Sequence, residues 1–323
     1  MDSQCILLVS NSRDFATDYV VAELRARGKR YLRLDLDLVA KDSVTIDPSK
    51  PMLDIHTPQG RFRLTAPEIV GILFRAPTHL SESGSDRYTP QEQLARHQWA
   101  AFARALMVFE TARWVNHPAQ TYAAESKPFQ LFLASQLGWD IPETRITNFP
   151  PENNWPESDG RLAIKALDTF FVRLDDQDAF FYTQEVDRSD LLPASLSAMP
   201  VILQPFLANK LDLRVTVIGK HCMAAAICRN GVGVTGDWRL QKDTVDYQLY
   251  DLPPAIRDRC IKLVDHLGLI FGAVDIAFCN GRYVFLEVNP TGEWAWLAER
   301  LNFPVANLLV DALCGDLPKQ ECA

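Results

Sequence analysis

The sequence predicts a mixed α/β fold in more than one domain, and three observations support that prediction. The first third of the chain alternates short apolar runs with amphipathic helix patterns, which is typical of a βαβ unit and of a parallel sheet. Beyond residue 200 the chain is rich in short strand patterns. Its 323 residues are enough for two or three domains with cores of their own.

The composition is that of a globular protein with an acidic balance. Hydrophobic residues make up 47% of the chain and charged residues 23%, which disfavours disorder and low complexity. The 33 Lys and Arg residues face 41 Asp and Glu residues, so the formal net charge is -8. Such a chain has no global basic field to attract a phosphate backbone, and we expect no nucleic-acid partner.

The sequence has no segment typical of export or of membrane insertion. The amino terminus lacks the cationic flank and the apolar length of a signal peptide, and no window approaches the ~18 apolar residues of a membrane span. Seven scattered cysteines without a C-x-x-C pair indicate reduced thiols rather than a disulfide framework. We therefore expect a cytoplasmic protein with no membrane partner.

The predicted elements of the first domain end near Pro118. Residues 6–10 form a buried strand pattern, and residues 15–27 place their apolar side chains on one helical stripe, which Gly28 ends. Further strand patterns, a polar loop and a long helix pattern follow before the proline marks a boundary. The predicted ranges are 31–36, 52–56, 61–64 and 69–74 for the strands, 81–89 for the loop and 91–111 for the helix.

After Pro118 strand patterns dominate. A helix pattern at 125–137 is closed by Gly138, and Asn280-Gly281 separates two apolar strands, which is a strong hairpin signal. The remaining predicted strands and helices are bounded by similar turn residues. The strands are 162–166, 180–186, 201–206, 212–218, 221–228, 271–279 and 282–288, and the later helices are 256–267 and 304–313.

Three oxygen-bearing side chains fall on this last hairpin. Asp275 lies on its first strand, and Glu287 and Asn289 lie on its second at spacing i, i+2, which places them on one face. An unpaired carboxylate within an apolar strand is costly, so solvated strand carboxylates are the less favoured alternative. Hard oxygen ligands on a rigid sheet suit Mg²⁺ completed by water and nucleotide phosphates.

Two lysines are candidates for phosphate contacts. Lys165 sits in an apolar strand pattern, where a cation needs an anion to face, and Lys127 begins a helix pattern. For Lys127 alone, an ordinary surface lysine is the competing interpretation.

A third group lies along two predicted strands. The main chain of Gln204, Pro205, Phe206 and Leu207 can hydrogen-bond an adenine edge. Asp212 could accept hydrogen bonds from ribose hydroxyls, and Arg214, on the same strand face, could present its fork to a phosphate or carboxylate. The alternative is a surface ion pair between Asp212 and Arg214.

The order of these residues resembles the ATP-grasp carboxylate–amine ligases over about residues 119–315. Within that superfamily the chain is most similar to the microviridin-type maturases of ribosomal peptides, the ligases that make graspetides. Additional motifs extend this resemblance over nearly the whole chain. They are Phe74-Arg75-Ala76-Pro77, Trp114-Val115-Asn116-His117-Pro118, Ser126-Lys127-Pro128-Phe129-Gln130-Leu131, Asp237-Trp238-Arg239 and Asn289-Pro290-Thr291-Gly292-Glu293-Trp294.

The resemblance implies an ATP-grasp fold. An N-terminal Rossmann-like pre-ATP-grasp domain would occupy residues 1–118, and two α+β subdomains, in residues 119–200 and 201–323, would hold ATP and two Mg²⁺ ions between them. The γ-phosphoryl group would pass to an Asp or Glu side chain of a ribosomal precursor peptide. A Thr, Ser or Lys side chain of the same peptide would then close an ω-ester or ω-amide macrocycle.

The resemblance also implies residue roles and partners. Arg214 is the best candidate to steady the phosphoryl group and the acceptor carboxylate, and Arg239 is the second, with a stacked surface pair beside Trp238 as the alternative. A leader helix of the precursor would bind the central domain, for which the aromatic-rich residues 170–182 are a candidate, and a homodimer is expected. The chain departs from the family pattern at Ala76, often a second arginine, and at Ser126, often an asparagine.

Two other functions remain open at this point. One is an ATP-grasp ligase that adds amino acids to a protein tail or joins small metabolites. The other is a nucleotide-binding regulatory module without turnover, against which the complete set of charged site residues argues.

Overall fold

A computed structural model of the protein describes residues 4–57, 60–75, 89–149, 155–167, 171–174, 177–180, 182–191 and 196–317. The predicted loop at 81–89 lies outside these residues except at its last position. The predicted leader-binding region at 170–182 is described only in part, by the main chain of two short strands and by residue 182.

A parallel sheet and a small antiparallel sheet form the first part of the chain. The parallel sheet has the order β2–β1–β6–β7, and the pairing agrees with the βαβ pattern of the sequence. Sequence reasoning missed β3 and the three-residue β7. The strands are β1 (Cys5–Ser10), β2 (Tyr31–Asp35), β6 (Ile69–Phe74) and β7 (Arg113–Val115), with β3 (Ser43–Asp47), β4 (Met52–Thr57) and β5 (Gly60–Thr65) in the antiparallel sheet.

Two capped helices connect these strands. Asp14 accepts a hydrogen bond from the Thr17 N–H at the start of α1 (Phe15–Ala26). Thr89 forms a capping box with Glu92 at the start of α2 (Pro90–Ala105). The prediction of one helix over 91–111 is wrong at its end, because the chain tightens into a 3₁₀ turn after residue 105.

The central sheet follows two short helices, α3 (Pro118–Ala124) and α4 (Lys127–Gln136). Its strand order is β12–β9–β13–β8, all antiparallel. The prediction of one strand over 180–186 is wrong: β11 pairs with β10 in a separate hairpin, and β12 pairs with β9. The strands are β8 (Arg145–Thr147), β9 (Arg161–Lys165), β10 (Phe171–Leu174), β11 (Gln177–Phe180), β12 (Gln184–Asp187) and β13 (Val201–Pro205).

The largest sheet carries the predicted hairpin at one edge. Its order is β16–β15–β14–β18–β19, with β17 also paired to β15. The predicted strands at 212–218, 221–228, 271–279 and 282–288 are present, whereas β16, β17 and α6 were not foreseen. The elements are β14 (Leu211–Ile218), β15 (His221–Arg229), β16 (Val232–Gly233), β17 (Asp246–Tyr250), α5 (Pro254–His266), β18 (Phe271–Cys279), β19 (Arg282–Asn289), α6 (Ala295–Leu301) and α7 (Val305–Cys314).

The last helix packs against the first sheet. One buried cluster joins side chains of β1, α1 and β6 with side chains of α7, among them Leu8, Val20 and Leu309. The contact is close at Gly71 of β6, where a Cβ atom would lie 2.5 Å from the Leu313 carbonyl oxygen. The carboxyl terminus therefore completes the core of the amino-terminal sheet.

Within the described ranges, no helix is long and apolar enough to cross a membrane.

Candidate active site

A cavity of about 540 Å³ lies between the central sheet and the largest sheet. Every residue that the sequence singled out for chemistry lines this one cavity. These residues are Lys127, Lys165, Gln204, Pro205, Phe206, Leu207, Asp212, Arg214, Arg239, Asp275, Glu287 and Asn289.

A β-bulge places the acidic residues on the cavity side. Asp275 of β18 pairs with Glu287 of β19, but the next residue of β18, Ile276, pairs with Phe285. β19 therefore holds one extra residue, Leu286, at this point. Without the bulge, Glu287 would share a face with Phe285, which is fully buried in the core. The shift lets Phe285 fill the core while Glu287 faces the cavity.

The two carboxylates and the amide lie together on that face. The Asn289 Nδ2 atom lies 3.5 Å from Asp275 Oδ2 and 3.4 Å from Glu287 Oε1. Arg239 Nη2 lies 2.9 Å from the same Asp275 oxygen and 3.3 Å from the same Glu287 oxygen. The guanidinium group thus holds two acidic oxygens that would otherwise repel each other.

This donor set fits a Mg²⁺ ion. The described residues contain no cluster of three or more His, Cys, Asp or Glu side chains suited to a metal. Mg²⁺ needs no such cluster, because it binds through one or two carboxylates and fills its shell with water and phosphate oxygens. Asp275 and Glu287 could supply those carboxylates, and a turn of the Asn289 amide would present its oxygen.

Arg214 has hydrogen-bonding capacity to spare. Its Nη1 atom lies 3.3 Å from Asp275 Oδ1, and the side chain is 6% exposed. Its buried Nε and Nη1 atoms make no hydrogen bond within the described part of the chain. A buried donor without a partner is costly, so this guanidinium is suited to an anionic ligand in the cavity.

The surroundings of the two acids shift their pKa values in opposite directions. Burial would raise the pKa of Glu287, but Arg239, Lys127, Lys165 and Arg214 outweigh burial and lower the pKa to about 2. Burial also raises the pKa of Asp275, and there the two arginines do not compensate. Glu287 is therefore the firmly ionised member of the pair.

Lys165 is a half-buried cation that pairs with no acidic side chain among the described residues. Burial lowers its pKa, and the Glu287 carboxylate only partly opposes that effect. Among the described residues it makes no side-chain hydrogen bond or ion pair, whereas Lys127 Nζ donates to the Ala166 carbonyl oxygen at 3.1 Å. An incoming polyanion would offset the desolvation of Lys165.

The predicted base and ribose contacts line the same cavity from both sheets. Gln204 is 3% exposed and donates from Nε2 to Thr144 Oγ1 at 3.0 Å. The predicted alternative of an Asp212–Arg214 ion pair does not occur, because Asp212 pairs with Lys210 and Arg214 pairs with Asp275.

Sequence reasoning missed several charged residues of the cavity. Lys210 lies two residues before Asp212, just ahead of β14, and pairs with it, and that spacing was an available signal. Asp237 accepts hydrogen bonds from the Arg239 main-chain N–H at 3.0 Å and from its Nη1 at 3.4 Å, which orients the arginine. Arg239 does stack on Trp238, 5.1 Å from the ring centre, but its other side faces the acids.

Solved structures of ATP-grasp ligases are similar to the chain over almost its whole length, so the chain has an ATP-grasp fold. The fold comparison confirms the resemblance drawn from the motifs. No protein-family model and no curated protein sequence matches the chain.

Three of these structures span nearly the whole chain. An ATP-grasp ligase from Chryseobacterium gregarium associated with ribosomal peptides, complexed with ADP and a leader and core peptide, has a TM-score of 0.82 at 22% identity, covering 98% of each chain. The macrocyclase MdnC of Microcystis aeruginosa, bound to the precursor peptide MdnA, has a TM-score of 0.79 at 23% identity, covering 97% of this chain and 100% of MdnC. The macrocyclase MdnB of the same organism has a TM-score of 0.75 at 25% identity, covering 96% and 99%.

Proposed function

We propose that this protein is an ATP-dependent carboxylate ligase that matures a ribosomal precursor peptide into a graspetide. It phosphorylates Asp or Glu side chains of the peptide and closes ω-ester or ω-amide macrocycles with Thr, Ser or Lys side chains. Similarity to an ATP-grasp ligase solved with ADP and a leader and core peptide, and to a macrocyclase solved with its precursor peptide, supports this function over amino-acid addition to a protein tail.

One observation carries the proposal. The buried Arg214 guanidinium, whose Nε and Nη1 atoms make no hydrogen bond among the described residues, lines the same cavity as Lys127, Lys165 and the two acids. Such a site binds a polyphosphate and a carboxylate together. It contains the charges that phosphoryl transfer needs and does not require a protein nucleophile.

The chemistry follows from the poor reactivity of a carboxylate. A carboxylate oxygen of the peptide attacks the γ-phosphorus of ATP, and ADP leaves. A hydroxyl or amine of the same peptide then attacks the acyl phosphate carbon, so that inorganic phosphate and a proton depart. Each bond consumes one ATP and removes the elements of water from the peptide.

The charge of each residue determines its proposed role. Lys127 and Lys165 bind phosphate oxygens, and Arg214 and Arg239 orient the peptide carboxylate against the phosphoryl group. Asp275, Glu287 and Asn289 would hold Mg²⁺, which when bound supplies positive charge for the transferring group.

The nucleoside contacts complete the site. The main chain at Gln204, Pro205, Phe206 and Leu207 binds adenine. Asp212 binds the ribose hydroxyls once its carboxylate separates from the Lys210 ammonium group. These roles rest on the positions of the residues in the lining of the cavity.

Finer features of the proposal rest on the resemblance. They are two Mg²⁺ ions, a leader helix bound by the central subdomain, a homodimer and a cytoplasmic location. The proposed domains are residues 1–118, as a Rossmann-like pre-ATP-grasp domain, and residues 119–200 and 201–323, as the two subdomains that clasp ATP.

Mass spectrometry of a peptide product tests the function. The full-length protein is incubated with ATP, Mg²⁺ and a precursor encoded beside its gene that repeats Thr and Asp or Glu. We expect the peptide to lose about 18 Da for each ring. Omission of ATP and the Arg214→Met variant should both abolish the loss.

The alternatives give different results in this assay. Addition of amino acids raises the mass of the acceptor. A regulatory module binds ATP and leaves every peptide unchanged. Either result, obtained with a precursor that binds the protein, would overturn the proposal.

A further inference from the structure

The strand that carries Glu287 and Asn289 is at the edge of its sheet. β19 is the last strand in the order, so within the described part of the chain its outer side meets no strand, only an isolated bridge between Asp140 and Val284. Main-chain N–H and C=O groups on such an edge need other partners when they are buried. Near its middle, the Phe285 N–H donates to the Asp140 carbonyl oxygen at 2.8 Å.

At the acidic end, a side-chain amide takes the place of the missing strand. Gln130 of α4 accepts from the Val288 N–H at 2.8 Å and donates to the Val288 carbonyl oxygen at 2.7 Å. The same Nε2 atom donates to the Ala124 carbonyl oxygen at 2.6 Å, and Gln130 is 2% exposed. Because Val288 stands between Glu287 and Asn289, this contact fixes the main chain of both.

A second amide joins the two ends of the hairpin. Asn116, also 2% exposed, donates to the Pro290 and Phe271 carbonyl oxygens, both at 2.8 Å. Its Oδ1 atom accepts from the N–H groups of Ile270 and Phe271, both at 2.9 Å. Pro290 directly follows Asn289, and Phe271 begins the strand that carries Asp275.

We propose that Gln130 and Asn116 are positioning residues that hold the cation-binding end of the hairpin in register. The inference rests on the proposed function, because it takes Asp275, Glu287 and Asn289 as the cation ligands. Neither amide contacts a ligand side chain. Each fixes the main chain beside a ligand residue. Loss of such a residue outside the ligand shell typically lowers metal affinity 10- to 100-fold. Both are neutral and add no charge that would compete with the cation.

Mn²⁺ binding to the full-length protein in the presence of ADP tests this role, with free Mn²⁺ followed by electron paramagnetic resonance. Mn²⁺ takes the same oxygen ligands as Mg²⁺ and is itself the readout, so turnover is not needed. Gln130→Met keeps the length and volume of the side chain and removes its hydrogen bonds. Leu131→Met, at the next buried position of the same helix, is the matched control.

We expect Gln130→Met to weaken Mn²⁺ binding about 10-fold or more, with Leu131→Met within twofold of the wild type. Amide hydrogen exchange at Val288 should become faster only in Gln130→Met. Gln130→Glu keeps an oxygen facing the Val288 N–H, and its Mn²⁺ affinity should fall between those of the wild type and Gln130→Met.

Three outcomes would overturn the inference. Unchanged Mn²⁺ affinity in folded Gln130→Met is the first. Equal losses in Gln130→Met and Leu131→Met would reduce the role to general stability. The third applies if Gln130→Met does not fold, and it is that Gln130→Glu binds Mn²⁺ as tightly as the wild type. Absence of Mn²⁺ binding in the wild type would instead contradict the proposed function.

Discussion

Asp275 and Glu287 share a proposed role but should differ in what they contribute to stability. The Asp275 carboxylate touches two guanidinium groups, Arg214 at 3.3 Å and Arg239 at 2.9 Å. Glu287 touches Arg239 at 3.3 Å. Within the described residues, Asp275 is the ion-pair partner of Arg214, whereas Arg239 also pairs with Asp237 at 3.4 Å.

The variants Asp275→Asn and Glu287→Gln separate the two effects. The contacts alone favour Asp275, but burial opposes them. The pKa of Asp275 is raised, so its two arginine partners do not offset the burial of its charge, and Asp275→Asn should cost at most about 1 kcal/mol. Around Glu287 the cations outweigh burial and lower the pKa to about 2. A carboxylate with a lowered pKa stabilises the folded state above its unfolded pKa, so Glu287→Gln should cost about 3 kcal/mol at pH 7.

Urea unfolding followed by circular dichroism measures the difference. Glu287→Gln should lower the midpoint clearly more than Asp275→Asn, while both variants lose ring formation because each removes a proposed cation ligand. Near-ultraviolet spectra of both variants in buffer should match the wild type, which shows that the comparison starts from folded proteins. Equal midpoints, or a larger loss for Asp275→Asn, would refute the reasoning from burial and charge. Full activity in either variant would refute the metal assignment.

Three further predictions concern other parts of the molecule. Lys165→Met should weaken ATP binding about 10-fold or more in calorimetry, because a charge-assisted contact contributes about 1.5 to 3 kcal/mol, while Lys220→Met at an exposed turn should not. Burial opposes ionisation of Asp14, but its arginine partner and neighbouring hydroxyls outweigh burial and lower its pKa below 3.8. The stability that Asp14 contributes is present above that value and lost as pH falls through the lowered pKa, so Asp14→Asn should be less stable than the wild type at pH 7 and nearly equal to it in strong acid. Gly71→Ala should lower the unfolding free energy by about 1 to 3 kcal/mol, since its Cβ would meet the Leu313 carbonyl oxygen, and an unchanged urea midpoint would contradict that packing.

The hairpin at the centre of the site was predictable because its signals are local. Asn280-Gly281 defines the turn, and both asparagine and glycine take positive φ there, 50° and 74°. Apolar residues on both sides identify the strands. Burial of an unpaired carboxylate in such a strand is costly, so Asp275 and Glu287 predicted a metal site on this hairpin.

Features set by contacts distant in sequence were not predictable. The bulge at Leu286 depends on how Phe285 fits the core, which the alternation of residues does not reveal. The mispredicted strand at 180–186 has an apolar pattern of the right length, but two different partners divide it. The packing of α7 against the first sheet could not be predicted, because the sequence does not show which surfaces meet.

The two amides illustrate why motif reasoning stopped short of the full site. Asn116 and Gln130 both lie in motifs that carry the family resemblance, but an uncharged side chain in a motif suggests no chemistry by itself. Their contribution depends on β19 being an edge strand, which is a property of the sheet order. If β19 lay inside the sheet, a neighbouring strand would pair with its main-chain groups and would cover the side that α4 now contacts. Because β19 is an edge strand, its main chain needs partners from outside the sheet, and the proposed role of the neutral amides of Asn116 and Gln130 is to hold that edge without adding charge to it.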